Sequence, residues 1–172
     1  MNKYLEEKIN LHETSWKSAY PLFSRVITKF HLRTGVEIGV AFGGHSEAIL
    51  NQTNIDKLYA VDRYQHDPSY DDPLNFVQDQ FDELYGYVKD RLSVFGDRCE
   101  LIRLDSKKAA QTVPDELDFV YIDALAIKRR SHGAVENDQI FVYKGHKILL
   151  HSATPIMESD PMLRQNRPTV KQ

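Results

Sequence analysis

The sequence has little of what would tie it to an oxidising compartment, a membrane or a nucleic acid. Its one cysteine, Cys99, rules out an intrachain disulfide and fits a reducing compartment. No apolar run approaches the roughly 18 residues of a membrane span. The opening MNKYLEEKINLHETSW carries acids and lacks the apolar centre of a secretory signal. Cytoplasm is the expected location, with no membrane partner. Basic residues are too scattered to grip a nucleic-acid backbone: 22 Lys and Arg against 25 Asp and Glu leave a formal net charge of -3. The one basic run, Ile127 to Arg130, reads as a solvated patch. Internal repeats are missing too. What remains is 172 residues of ordinary composition, enough for one domain with a real core.

The order of elements is the first positive signal. Tyr20 to Phe30 places Leu22, Phe23, Val26, Ile27 and Phe30 at helical spacing, predicting a helix laid on a sheet. GVEIGV reads as a strand, and GGHSEAILNQ as a glycine turn entering a helix. Lys57 to Asp62 is a second strand, followed by a polar loop, Tyr64 to Pro73, and a long amphipathic stretch from Leu74 to Phe95. Cys99 to Asp105 and Leu117 to Asp123 add two strands, with a short helix between them stopped by Pro114. HKILLHS offers one more short strand. Strands alternating with helices predict an α/β domain: a Rossmann-like, doubly wound, mostly parallel sheet with helices on both faces. The aromatics Phe76, Phe81, Tyr85 and Tyr87 fit core packing or a homo-oligomer contact better than substrate stacking.

Glu37, Asp62, Asp105 and Asp123 each stand at or near the carboxyl end of an apolar run, where open α/β sheets bind ligands. One such acid can simply mark the strand exit or cap the next helix. Four of them, with Gly39, Gly43 and Gly44 after the first, form a pattern. The glycines let backbone lie against a ligand or take positive φ. The spacing does not complete the dinucleotide fingerprint, because Ala41 stands where its second glycine belongs, and no Gly-Lys-Ser/Thr makes a phosphate loop. An acid beside a glycine loop with a second acid about 25 residues on suits an adenosine ribose instead. Asp62 is the expected partner of the ribose diol, and Glu37 of a ligand amino group, directly or through water. Asp105 with Ser106 would meet the adenine amino group, and Tyr64 would cover the ring. His45, His66 and His132 read as surface or loop histidines. His66, Asp67, Asp71 and Asp72 read as a solvated loop or lid rather than a metal cluster.

VEIGVAFGGHS, LYAVDRY, CELIRLDS and LDFVYIDA, in this order, resemble class I S-adenosylmethionine-dependent methyltransferases, especially the small-molecule group, over residues 34–124. The resemblance implies S-adenosylmethionine contacts at Glu37, Gly39, Gly43, Asp62, Asp105 and Ser106. It also implies Asp123 near the transferred methyl, as a contact and candidate base, or near a divalent metal as in some relatives. Methyl transfer to an oxygen or nitrogen of a small-molecule acceptor is the implied reaction. His132 is a second candidate base.

Beyond Ala124 the pattern stops, and neither the helix start nor the Gly-Gly turn of the family follows. The expected domain is 1–153, with 125–153 open, a tail over 154–172 without fixed structure, and a sheet incomplete at its C-terminal side. Two alternatives stay open: a truncated or frameshifted remnant that binds the cofactor weakly without turnover, and a nicotinamide-dependent oxidoreductase.

Overall fold

The computed structural model describes residues 1–16, 20–69, 74–123 and, as backbone, 148–151. The basic run at Ile127 to Arg130, His132, Asp71, Asp72 and the tail at 154–172 lie outside these residues.

Five short strands set the frame: β1 (Thr34–Ile38), β2 (Lys57–Val61), β3 (Cys99–Ile102), β4 (Phe119–Ile122) and β5 (Ile148–His151). They form one sheet in the order β3-β2-β1-β4-β5, every pair parallel. Parallel neighbours need crossovers, and these are α3 (Gly44–Gln52) between β1 and β2 and α4 (Gln78–Ser93) between β2 and β3. The chain then returns past α5 (Ser106–Ala109) to β4 on the far side of β1. The direction of winding reverses between β1 and β4, so the sheet is doubly wound.

Side-chain alternation sorts the strands into two faces. Leu58, Ala60 and Phe119 face the larger core, where Phe23 and Ile27 of α2 (Tyr20–Lys29), Ile49 and Leu50 of α3, and Leu84, Val88 and Leu92 of α4 meet them. Val36 and Val61 face the other way and pack with Ala109 and Leu117. Each buried aliphatic side chain contributes about 1.5 to 3 kcal/mol by leaving water.

Several local expectations are corrected. The N-terminal stretch, read as merely polar, is helix α1 (Lys3–Trp16). The Asn2 side chain caps it by accepting the Tyr4 N–H at 2.9 Å. Leu5 and Ile9, four residues apart, reach the core at 0% and 4% exposure, and that suffices to hold the helix. The apolar face of α2 is narrower than its spacing suggests: Phe23 and Ile27 are buried, whereas Leu22 and Phe30 are 61% and 53% exposed. The long amphipathic stretch becomes helical only from Gln78, because Phe76 turns into the core ahead of it. The last strand does form, and its pairing makes β4 an internal strand rather than an edge.

Gly35 shows how tightly the centre is filled. In register with Phe119 across the β1/β4 pair, it lies under that ring, and a Cβ built on it falls 2.2 Å from ring carbons. Phe119 is fully buried and has nowhere to retreat. Gly35→Ala is expected to lower unfolding free energy by about 2 kcal/mol through overpacking, read as a lower denaturant midpoint at unchanged slope. An unchanged midpoint would mean that the ring repacks freely.

Candidate functional site

The carboxyl ends of β1, β2 and β4 are laced together by backbone bonds that continue the sheet. Gly39 N–H donates to Val61 O at 2.8 Å, Asp62 N–H to Ile102 O at 3.1 Å, and Asp123 N–H to Ile38 O at 2.8 Å. This places Gly39, Asp62 and Asp123 side by side where the winding reverses, the position at which open α/β sheets take ligands. Asp105 and Ser106 stand at the exit of β3, one strand further out.

Glu37 alternates onto the helix-covered face of β1 and is 1% exposed. Its carboxylate accepts the Ser46 hydroxyl and lies 2.9 Å from His45 Nδ1, both in the first turn of α3. A ligand amine could reach it only by displacing one of these partners. His45, expected on the surface, is 8% exposed. Its ring centroid lies 5.8 Å from Phe23 and 4.3 Å from Tyr121. Burial alone would depress the imidazole pKa, but the charge and hydrogen bond of Glu37, with a smaller push from Asp123, raise it overall. The His45 imidazole and the Glu37 carboxylate therefore form an internal pair beneath the rim that favours the protonated ring.

The turn above that pair is built on unusual backbone. Gly39 and Gly43 sit at φ 96° and 80°, where a side chain would be strained. A Cβ at Gly43 would also approach Val88 Cγ1 at 3.1 Å. Ala41, between them, takes φ 47° although it has a Cβ. It is held there: its N–H donates to Asp62 Oδ2 at 3.0 Å, and its carbonyl accepts the Tyr64 hydroxyl at 2.9 Å. From the helix side, Arg91 Nη1 donates to Phe42 O at 3.1 Å. The same guanidinium bonds Glu13 of α1 at 2.5 Å and Glu47 of α3 through both Nε and Nη2. Burial opposes its charge, and the two carboxylates more than compensate, so it stays protonated.

Asp62 is half-buried. Burial, the largest influence, and the negative Glu37 raise its pKa, against the N–H groups of Tyr64 and Ala41 that lower it. Each carboxylate oxygen keeps a second lone pair beyond those bonds. Tyr64 does not cover a ligand ring as the sequence suggested: it is 1% exposed and part of the core. Asp105 caps α5, its Oδ1 accepting the N–H groups of Lys107 and Lys108 at 3.0 and 3.1 Å, and these hold its carboxyl below the usual range. Asp67 is occupied locally by Ser69, Arg63 and Asn75, and His66 Nδ1 bonds Phe76 O at 2.9 Å. Among the described residues no three His, Cys, Asp or Glu are grouped to hold a metal ion. Two cavities, of about 190 and 220 Å³, lie around Thr28 and Gln52, away from the rim residues.

The sequence reading missed the partners of Glu37. The available signal was two polar residues, His45 and Ser46, opening a helix whose first turn must lie over the strand it has just left.

The raised His45 pKa has a signed consequence. A group that binds its proton more tightly when folded stabilises fully below its unfolded pKa of about 6.5, and that contribution is lost as pH rises through the folded value. Unfolding free energy is expected to fall as pH climbs above about 6.5, and His45→Gln should remove that component. Urea titrations across this window, with His45 followed by NMR, check it; a His45 that titrates below 6.5 would contradict the pairing.

No protein-family model matches the sequence, and no curated protein does. Among solved structures it is similar to a candidate caffeoyl-CoA O-methyltransferase from Staphylococcus aureus, at 17% identity and TM-score 0.48 over 72% of this chain and 55% of that one. It is similar also to the methyltransferase PaMTH1 of Podospora anserina bound to SAH, at 15% identity and TM-score 0.47, covering 72% and 51%. The O-methyltransferase of Bacillus cereus in complex with SAH follows at 13% identity and TM-score 0.44, covering 72% and 56%. The chain spans about half the length of each of these structures.

Proposed function

We propose that this chain is an S-adenosylmethionine-binding α/β domain that transfers a methyl group to an oxygen or nitrogen of a small-molecule acceptor. One observation carries the choice of ligand. The N–H groups of Gly39, Ala41 and Gly43 are already bonded to Val61 O, Asp62 and Val40 O, at 2.8, 3.0 and 2.9 Å. A phosphate needs such N–H groups turned outward. With these three engaged and acids at the strand ends, the rim suits a ligand whose charge is positive and whose polar edge is a diol. An adenosyl sulfonium has both; a dinucleotide brings a pyrophosphate that Asp62 and Asp123 would repel.

In this reading Asp62 accepts the ribose hydroxyls on its remaining lone pairs, and Gly39 offers bare backbone beside it. Asp105 keeps an oxygen for the adenine amino group, with Ser106 next to it. Glu37 exchanges His45 for the ligand's ammonium or meets it through water. The bound cofactor supplies a methyl group on a positively charged sulfur. The chain's own part is alignment of donor and acceptor, a contribution of about 7 to 11 kcal/mol where well-oriented reactions are compared. In the same reading Asp123, exposed at the end of β4, would take a proton from an acceptor hydroxyl.

Calorimetry with S-adenosylmethionine, S-adenosylhomocysteine and NAD tests the reading. The first two should bind and NAD should not; NAD binding alone would overturn it. Asp62→Ala, with the fold checked by circular dichroism, should weaken S-adenosylhomocysteine binding by about 1 to 3 kcal/mol through lost charge-assisted hydrogen bonds. An unaltered dissociation constant removes Asp62 from the site.

A further inference from the structure

Tyr64 is the buried aromatic of the rim that the proposed reaction does not use. It follows Asp62 by two residues, and its backbone takes φ 43°, a left-handed conformation that a bulky residue adopts only under compulsion. Ala41, in the facing loop, takes φ 47°. These two strained residues are joined in one closed ring of hydrogen bonds. The Ala41 N–H donates to Asp62 Oδ2 at 3.0 Å, and the Tyr64 N–H donates to Asp62 Oδ1 at 3.0 Å. The Tyr64 hydroxyl closes the ring by donating to the Ala41 carbonyl at 2.9 Å. Both backbone polar groups of Ala41, its N–H and its carbonyl, are thus fixed by residues leaving β2.

The ring is braced from behind. The Tyr64 carbonyl accepts Arg103 Nη2 at 2.9 Å and Gln78 Nε2 at 3.2 Å. Arg103 and Gln78 both bond Asp82 of α4, and Arg103 lies 4.9 Å over the Tyr85 ring, itself 5.6 Å from Tyr64. A helix, two loops and the end of a strand therefore converge on one residue, Tyr64, whose phenol reaches Ala41 while its backbone is held from behind. Strain of this kind costs of the order of 1 to 3 kcal/mol per residue and persists only where the surroundings enforce it.

We propose that Tyr64 is a positioning residue of the ligand site. Its hydroxyl holds the Ala41 loop in the left-handed shape that sets Gly39 and the Asp62 carboxylate at their working separation. The consequence for an adenosyl ligand rests on the reading given above; the clamp itself does not. Without the hydroxyl, Ala41 relaxes out of the left-handed region, and the loop is competent to bind for only a fraction of the time. Apparent affinity falls by that fraction. Glycine occupies the left-handed region without strain, so a glycine at position 41 restores the competent shape without the phenol.

The test uses the full chain and three variants: Tyr64→Phe, Ala41→Gly and the double variant. In ligand-free protein, Tyr64→Phe should speed amide hydrogen exchange at Ala41 about tenfold while Val36, inside β1, stays unchanged. The dissociation constant for S-adenosylhomocysteine should rise about tenfold, and adding Ala41→Gly should recover most of that loss. A structural role alone would give no recovery of affinity from Ala41→Gly and would not distinguish the two amides, since global loosening moves Ala41 and Val36 together. Unchanged exchange at Ala41 in Tyr64→Phe overturns the clamp. Faster exchange with unchanged affinity overturns its role in binding. If the unmodified chain binds no S-adenosylhomocysteine, the adenosyl reading fails, and the exchange result alone decides whether the clamp exists.

Discussion

The structure turns on one buried carboxylate. Glu37 lies on the helix-covered side of the central strand with 1% of its surface exposed, where an unpaired ionised acid would be untenable. Its partners, Ser46 and His45, come from the first turn of α3. That turn must therefore fold back over the end of β1 within the few residues from Gly39 to Gly44. So sharp a reversal requires left-handed backbone, and Gly39 and Gly43 supply it. The glycine loop is in this sense a consequence of the acid beneath it, and the exposed rim is the outer surface of an arrangement organised by a buried Glu37–His45–Ser46 contact.

Two further clamps fix the loop from opposite sides. Arg91 ties Phe42 to α1 and α3 through Glu13 and Glu47, while Asp62 and Tyr64 hold Ala41 from the end of β2. Tyr64 also fills the core, and both clamps set polar groups and strained backbone at the sheet's carboxyl end. Burial also pushes the Asp62 carboxyl toward its neutral form, so keeping it ionised there costs stability. A chain folding for stability alone has no reason to gather strained backbone, a reluctant carboxylate and a buried imidazole–carboxylate pair at one end of its sheet. Preorganisation for a ligand is such a reason, because ordering the loop beforehand removes an entropy cost from binding.

The sheet was legible because strands buried on both faces read as continuous apolar runs, as in Lys57 to Val61, flanked by turn signals. Even the short β5 followed from HKILLHS. Helix α1 escaped notice because its core contribution is two residues, Leu5 and Ile9, in an otherwise polar sequence. The rim acids were legible by position but not by partner. Strand alternation places Glu37 beneath α3, yet that Ser46 and His45 meet it depends on how the turn closes. Asp105 was visible as either ligand group or helix cap, and it is a cap whose bonds to Lys107 and Lys108 are set by local geometry. Tyr64 was read as a ring cover because it follows an acid. Positive φ at a non-glycine residue has no sequence signature, and it is this backbone twist that carries the side chain inward.

Charge completes the account of what the rim can accept. Asp62 and Asp123 stand at the exits of β2 and β4, on either side of β1, and the buried His45 is already paired with Glu37. The N–H groups of Gly39, Ala41 and Gly43 are already bonded within the protein. An anion arriving here would find carboxylates and no donor from Gly39, Ala41 or Gly43, whereas a cation is attracted by Asp62 and Asp123. At a few ångströms such attractions are each about 1 kcal/mol in water and several-fold larger where solvent is excluded. Under the proposed reading, the positive charge of the ligand is what this end of the sheet recognises, and its hydroxyls fix orientation on Asp62.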